Sequence, residues 1–367
     1  MRQALDVDQV LGSAIESAEP LAARLRAECA PLAQHRQYLR DALFSQGVLQ
    51  QLPSDPSYFS VGAVDGAYTI SPLFLGDQIG VLAVSIESDL QTREVIVRGS
   101  ESESRFLPHS PASEAHAKAM MFSLELSLLK EPEGVDAVTI VDGSHTTGPT
   151  AAMEALTVEE SPAHEYICDD VISDQMIAGI ESLSARDSIV ACPKSDSSRA
   201  LGQWIEAQGV ELPTTFPDKV LSAFLLEGGE VLTLRESAAP WEKFDMMSHQ
   251  VTSDRGVMIK DRIIKACAPL RNGIQVAHAK PHGSDMAIRV ETKSELDGFG
   301  AMDRWQAVAD DCTPPHTQEP VAQYLADYIA KDVAQVSAIQ LESARLDLAD
   351  SGDSEVLGLL ARTYRTS

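Results

Sequence analysis

The stretch Val61–Ile70 reads VGAVDGAYTI and places Asp65 between apolar residues and a glycine. The same arrangement returns at residues 138–147, VTIVDGSHTT, around Asp142. Both stretches are rich in valine and isoleucine, which is typical of strands, and a glycine after the aspartate lets the backbone bend away. A single Asp-Gly pair is ordinary turn chemistry, but two in apolar strands favour a shared function. We therefore predict two strands that each end on a carboxylate at the rim of a sheet.

The composition describes an ordinary globular protein with an unusual charge. The 367 residues carry a formal net charge of −26, and 44% of them are apolar. No apolar run approaches the roughly 18 residues of a membrane helix, and the N-terminus lacks the features of a signal peptide, so we predict a soluble, cytoplasmic protein without a membrane partner. The acidity disfavours indiscriminate binding to DNA. Residues 255–293 hold eight Lys or Arg against three acids, which predicts either a local basic surface or a solvated mixed-charge face.

The hydrophobic periodicity changes along the chain and predicts an α/β fold. Residues 1–52 have helical spacing and predict an N-terminal segment of two packed helices. Three strand patterns follow with short connections, then a helix and the second VDG strand, within a main domain of residues 53–345. Residues of about 150–250 alternate helix and strand, which indicates an inserted α/β portion. The remainder, residues 346–367, reads as an acidic tail with one short helix.

The carboxylates of the two VDG strands need a cation if they converge. Buried carboxylates are costly unless paired or bound to metal, and two of them repel each other. Hard divalent ions such as Mg²⁺ or Mn²⁺ prefer such oxygen ligands. The helix between the strands adds Glu125, in the apolar stretch FSLELSLL, or Glu114, which lies eleven residues earlier on nearly the same face. Asp327, in QYLADYIA of the last long helix, is a further candidate.

The order of these motifs resembles the NurA nuclease family. The resemblance extends from about Tyr58 to Val333, and the order and spacing of the motifs carry it more than any single match. One departure is Glu319, since the family usually has tyrosine before the late proline. The matching motifs are AVDGAY with Asp65, LELSLL with Glu125, IVDGSH with Asp142, VACPKS with Lys194 and Ser195, and EPVAQYLADYIA with Pro320 and Asp327.

The resemblance implies an RNase H-like mixed β-sheet flanked by helices and a DNA nuclease activity. Family members degrade single-stranded DNA and the 5′ ends of duplexes, act as dimers and work with the hexameric HerA translocase in DNA end processing, repair or defence. Lys194 would contact a phosphate. One or two Mn²⁺ or Mg²⁺ ions would be held by Asp65, Glu125, Asp142 and Asp327, and these ions would polarise the scissile phosphate.

Two other functions stay open from the sequence. A catalytically silent nucleic-acid-binding or scaffolding subunit would keep the fold but have a broken set of acids. A phosphoryl transfer on a nucleotide would require a deep, enclosed pocket. The chain has no G-x-x-x-x-G-K-[ST] loop, so ATP-driven movement along DNA would have to come from a partner such as a HerA-type ATPase.

Overall fold

A computed structural model describes residues 7–54, 57–73, 75–129, 137–195, 198–212, 215–237, 251–270, 273–294, 296, 298–312, 319–334 and 336–352. The strands are β1 Leu49–Gln51, β2 Ser60–Pro72, β3 Asp77–Asp89, β4 Val95–Leu107, β5 Ala137–Asp142, β6 Ile189–Cys192, β7 Glu230–Ser237, β8 Ile274–Lys280 and β9 Ile288–Lys293. The helices are α1 Val7–Ser45, α2 Ser113–Leu128, α3 Thr147–Leu156, α4 His164–Tyr166, α5 Asp174–Ala185, α6 Ala200–Ala207, α7 Asp218–Leu225, α8 Asp254–Ala266, α9 Gly298–Asp310, α10 Val321–Ala334 and α11 Val336–Asp350.

The strands form one mixed sheet in the order β1-β7-β8-β9-β6-β5-β2-β3-β4. Strands β2, β3 and β4 are successive antiparallel neighbours, as their short connections predict. Strand β5 then adds parallel to the other side of β2, and β6 adds parallel to β5. These five strands form the predicted RNase H-like sheet, and β9, β8, β7 and β1 extend it in antiparallel fashion beyond β6.

Two helical layers cover the sheet because the long central strands are apolar on both faces. Val64 and Val81 pack against α2, α3, α5 and α8 on one face. Ala63 and Leu82, which point the opposite way, pack against α9 and α10. A third cluster joins α1, α6 and α7 to the end of the sheet that carries β1 and β7. The helices α2 and α10 therefore lie on opposite faces of β2 and β3.

Both ends of the chain differ from the expected helices. A single helix, α1, replaces the two predicted N-terminal helices and includes Pro20 and Pro31. Residues 49–51, which were also expected to be helical, instead form the edge strand β1 against β7. The last described helix ends at Asp350, inside the predicted acidic tail, and residues 353–367 lie outside the described residues.

Residues 150–250 contribute to the same sheet as the rest of the chain. Strand β6 lies in the middle of the sheet, between β5 and β9, and β7 pairs with β1 and β8. The α/β alternation predicted for this segment is present in α5, β6, α6, α7 and β7. The division of the chain into domains stays a prediction. Within the described ranges, every helix is too short or too polar to cross a membrane.

Candidate active site

The register of β2 and β5 brings the two VDG aspartates side by side. Val64 is aligned with Val141, so the next residues, Asp65 and Asp142, occupy adjacent positions in neighbouring parallel strands. Parallel neighbours in register point to the same face, about 4.8 Å apart. That face is the one covered by α10, because Ala63 belongs to the core beneath this helix. The two carboxylates therefore converge, as the repeated motif predicts.

Only one of the two strands ends where the sequence predicts. Strand β5 ends at Asp142, and Gly143 follows with φ of +80°, a conformation that favours glycine. Strand β2 continues beyond Asp65 to Pro72, paired with β3 along its whole length, so the expected bend at Gly66 is wrong. Because β5 stops while β2 continues, β2 has an unpaired edge beside Asp65. Side chains from both helical layers can reach this gap.

Gly66 makes room for Glu125 in the gap. A Cβ at position 66 would lie 2.6 Å from Glu125 Oε1 and 2.8 Å from Met121 Cγ, closer than such atoms approach. The Gly66 amide donates to Asp65 Oδ1 at 2.8 Å and also to the carboxylate of Glu125. Glu125 is buried on α2. Glu114, the alternative on the same helix, is exposed, pairs with Lys118 and lies about three turns before Glu125.

Lys194 lies at the centre of the carboxylates. Its Nζ is 3.1 Å from Asp65 Oδ2, 3.3 Å from Asp142 Oδ2 and 2.8 Å from Asp327 Oδ1. The lysine follows β6, whose Cys192 is aligned with Asp142. Asp327 arrives from α10 on the opposite layer from Glu125 and also accepts from Lys331 at 2.7 Å. The structure thus brings together all five residues that the sequence singled out, from five different elements of the fold.

Sequence reasoning missed Gln323, which fixes one of the aspartates. Its Nε2 donates to Asp142 Oδ1 at 2.8 Å and to the Cys192 carbonyl at 2.9 Å. Gln323 is buried and precedes Asp327 by four residues, so both lie on one face of α10. This spacing was the only signal in the sequence. Glu319, before α10, adds a fifth carboxylate near Lys194, and burial raises its pKa.

Crowding of the carboxylates shifts their pKa values in opposite directions. Burial and the charge of Asp142 raise the pKa of Asp65 to about 7, against the attraction of Lys194. Burial, followed by the charges of Asp65 and Asp142, raises the pKa of Glu125 well above its usual range. Burial also pushes the pKa of Asp327 upward, but the hydrogen bonds from Lys194 and Lys331 outweigh it and lower that pKa. Below neutral pH, Asp65 and Glu125 therefore retain protons that a cation could displace.

The carboxylates of the site are suitable ligands for a hard divalent cation, although three of them now contact the ammonium of Lys194. The four acids offer only carboxylate oxygens, which Mg²⁺ and Mn²⁺ prefer. In the part of the chain that the structure describes, however, no group of three His, Cys, Asp or Glu side chains is spaced to hold a metal ion. The Lys194 ammonium occupies the point on which three of these carboxylates converge. A metal would need Lys194 to move away.

The acids border a cavity that reaches solvent. It has a volume of about 430 Å³, and its lining includes Asp65, Glu125, Asp142 and Asp327 together with Tyr68, Met121 and Phe122. The side chain of Asp142 is 27% exposed and that of Lys194 is 33% exposed. The site is therefore open at the carboxylates, unlike the enclosed pocket that a nucleotide-specific transferase would need.

The predicted basic region consists largely of cations paired within the fold, and its Arg289 lines a cavity together with Lys194 and Lys219. Most of its described cations are engaged by acids or carbonyls of the protein itself, and Arg271 lies outside the described residues. The contacts join Arg255 to Asp169, Arg262 to Asp174, Arg289 to Glu291, Lys293 to Asp187 and Lys280 to the Ala223 carbonyl. These cations are therefore largely neutralised within the fold.

Comparison with solved structures identifies the fold. The NurA nuclease from Sulfolobus solfataricus matches over 89% of this chain and 97% of its own, with a TM-score of 0.57 and 12% identity. A second NurA structure matches over 86% and 93%, with a TM-score of 0.53 and 13% identity. A NurA structure bound to dAMP and manganese matches over 85% and 92%, with a TM-score of 0.50 and 13% identity. No protein-family model and no curated protein matches the sequence. The chain has the RNase H-like fold of the NurA nucleases.

Proposed function

We propose that this protein is a metal-dependent deoxyribonuclease that hydrolyses phosphodiester bonds in single-stranded DNA and at duplex ends. The observation that carries the proposal is the convergence of Asp65, Asp142 and Asp327 on one point, with buried Glu125 beside them. Burying carboxylates is costly, so an apolar cluster at this place would stabilise the fold better than four acids from separate elements. The acids therefore point to a function. The four carboxylates lie at the gap beside β2, where they could bind a cation that acts on phosphate.

Each residue has a proposed role that its position supports. Asp65, Glu125, Asp142 and Asp327 would hold one or two Mn²⁺ or Mg²⁺ ions, which supply Lewis-acid stabilisation of the phosphate and activation of water. Gln323 would keep the Asp142 carboxylate oriented through the hydrogen bond already present. Lys194, once displaced from the carboxylates, would offer its ammonium to a phosphate oxygen. A NurA structure with dAMP and manganese supports this choice of ions and ligand.

The alternative is a catalytically silent nucleic-acid-binding or scaffolding subunit. It would predict that at least one acid had been lost or turned away from the others. The proximity of all four acids favours the enzyme.

The proposed biological setting follows the NurA-like fold. A homodimer that works with a HerA-type hexameric ATPase would supply the ATP-driven movement that this sequence has no phosphate-binding loop to provide. DNA end processing in repair or defence, in the cytoplasm, is the corresponding role. These partners stay predictions.

The first experiment is a nuclease assay on end-labelled single-stranded and duplex DNA with Mn²⁺, Mg²⁺ or EDTA. We expect cleavage with metal, none with EDTA, and a loss of at least about 100-fold in Asp65→Asn and Asp142→Asn, since both remove metal-ligand charge. Glu125→Gln should behave similarly. Its matched control is Glu114→Gln on the same helix, which should retain wild-type activity because Glu114 is exposed and lies about three helical turns before Glu125.

Circular dichroism and thermal unfolding confirm that each variant is folded. Cleavage that persists in EDTA, or in both aspartate variants, would contradict the metal-carboxylate proposal. A folded wild type that binds DNA but does not cut it with either metal, even with a HerA-type partner, would support the silent subunit.

A further inference from the structure

Two tyrosines form a stacked pair on the outer surface of α10. The ring centroids of Tyr324 and Tyr328 are 6.5 Å apart, and the ring planes differ by only 20°. Tyr324 is 42% exposed and Tyr328 is 55% exposed. Single exposed aromatic residues are common, but two parallel rings one helical turn apart form a continuous apolar surface. Contiguous exposed apolar surface is typical of binding sites.

The pair lies beside the candidate active site. Asp327 is three residues after Tyr324 and one before Tyr328, so its backbone lies within about 5 Å of both along the helix axis. Around the axis, Asp327 is separated from the two tyrosines by about 60° and 100°. Lys331, whose ammonium contacts Asp327, lies on the same side and is 67% exposed. Both rings therefore lie to the same side of the row of Asp327 and Lys331, which borders the cavity of the carboxylates.

The two rings are nearly parallel and exposed, as a stacking surface requires. The Tyr328 hydroxyl interacts with Asp332, one turn later on α10, at the outer edge of the ring. Because this contact involves only the hydroxyl at the edge of the ring, it does not cover the faces of the ring. Nucleobases stack on such faces whatever their sequence, because every base has a flat π surface.

Charge makes stacking the more suitable source of affinity for DNA. The chain has 55 acidic and 29 basic residues, and most described cations of residues 255–293 are paired within the protein. A groove built from these paired cations would therefore bind DNA weakly. Base stacking needs no positive charge and works on an acidic protein.

We propose that Tyr324 and Tyr328 form a stacking platform for two successive bases of single-stranded DNA, next to the carboxylates that act on its backbone. This inference rests on the proposed nuclease function and specifies how its substrate is held. The bases of an intact duplex are stacked on each other and paired, so they cannot use the platform. Single strands, or frayed duplex ends, are the expected ligands.

The test measures binding of a fluorescent oligothymidine and of a blunt duplex in the Asp65→Asn background with Mn²⁺, where cleavage is suppressed. The Tyr324→Ala/Tyr328→Ala variant should bind the single strand at least about tenfold more weakly than its parent, with duplex binding changed less than about twofold. Tyr324→Phe/Tyr328→Phe keeps both rings and should retain single-strand affinity within about twofold. Tyr38→Ala removes an exposed tyrosine of α1 and should have no effect.

A 2-aminopurine probe in the oligonucleotide gives a second readout, because stacking quenches its fluorescence. The platform predicts quenching by the parent and the phenylalanine variant and its loss in the alanine variant. Unchanged single-strand affinity in the alanine variant would overturn the proposal, as would an equal loss for duplex. A changed oligomeric state with unchanged DNA affinity would instead assign the tyrosines to a contact between copies of the chain. Ring-dependent single-strand binding without cleavage in Mn²⁺ by the wild type would reject the nuclease and keep the platform.

Discussion

At the scale of single residues, Gly66 controls whether Glu125 can join the aspartates. Gly66→Ala would place a methyl group 2.6 Å from Glu125 Oε1 and 3.0 Å from the Leu82 carbonyl. We expect nearly complete loss of nuclease activity and a destabilisation of about 1–3 kcal/mol, as for other overpacked sites. Gly62→Ala, four residues earlier on β2, is the control because its nearest contact would be 3.6 Å. Nuclease activity and urea unfolding are measured for both variants. Equal activity of Gly66→Ala and Gly62→Ala would contradict the role of Gly66 in making room for Glu125.

Lys194 stabilises the site in the absence of metal. Its ammonium contacts Asp65, Asp142 and Asp327, and their charges raise the pKa of Lys194 although burial opposes this. Lys194→Met should therefore lower the free energy of unfolding of the metal-free protein by about 1–3 kcal/mol, a range that allows for the partial exposure of the lysine. Mn²⁺ should stabilise this variant more than the wild type, because no ammonium competes with the metal.

Thermal unfolding with and without Mn²⁺ measures both effects of the Lys194 substitution. The control is Lys331→Met, since Lys331 is 67% exposed and contacts Asp327 from the outside. An equal Mn²⁺-induced shift in the wild type and Lys194→Met would show that the lysine does not compete with the ion.

At the scale of elements, the start of α10 depends on a buried carboxylate. Asp311 Oδ2 accepts from the Ala322 amide at 2.8 Å, and Asp311 is fully buried. Burial raises the pKa of Asp311 to about 6, although its hydrogen bonds oppose the rise. The folded state therefore binds this proton more tightly than the unfolded chain, whose aspartates titrate near about 3.9. Stability from this group is greatest below that value and decreases as the pH rises to about 6.

Asp311→Asn should remove this pH dependence and keep an oxygen for the Ala322 amide. Relative to the wild type, the variant should gain roughly 2–3 kcal/mol of unfolding free energy between pH 4 and pH 8. Urea unfolding at several pH values measures the difference. Asp310→Asn, at the adjacent position, is the control. A difference between Asp311→Asn and wild type that stays constant with pH would contradict the argument.

The elements differ in how far the sequence could predict them. The apolar pattern around Asp65 and Asp142 predicts the strands, and the register then follows because both faces must be buried. The extension of β2 beyond Gly66 could not be predicted, since Asp-Gly is a common turn signal and only pairing with β3 overrides it. Strand β1 is three residues long and depends on β7, which is distant in the chain.

The candidate site shows the same limit. Glu125 could be distinguished as a candidate by its apolar neighbours, and the structure separates it from exposed Glu114. Gln323 could not be recognised, because an amide in a helix has no distinctive pattern and its partner Asp142 lies 181 residues away. Lys194 lies among three acids because β6 pairs with β5. This pairing is a tertiary contact that cannot be predicted from the local sequence pattern. The catalytic roles of these residues stay predictions.

At the scale of the whole molecule, the charge of −26 constrains how DNA can bind. A protein that neutralises several phosphates with Lys and Arg releases counterions, and its affinity falls steeply with salt. Here Lys194 and Lys331 are held by carboxylates, and Lys219, beside Lys194, donates to the Lys194 carbonyl. The cations of residues 255–293 are mostly paired within the fold, including Arg289, which lines the same cavity as Lys194. DNA should therefore be held mainly through bound metal and through stacking, and neither depends on a basic groove.

The resulting prediction is a weak salt dependence of single-strand binding. In the Asp65→Asn background with Mn²⁺, the plot of log affinity against log KCl from about 50 to 300 mM should have a slope no steeper than about −2, which corresponds to two or three neutralised phosphates. The matched measurement uses Lys331→Met in the same background. This substitution should make the slope shallower by no more than the amount that corresponds to about one neutralised phosphate. A slope near −5 would mean that an extended basic surface binds the DNA. Such a surface would have to include cations beyond the paired ones of residues 255–293, from elsewhere on the chain or from the joining of subunits.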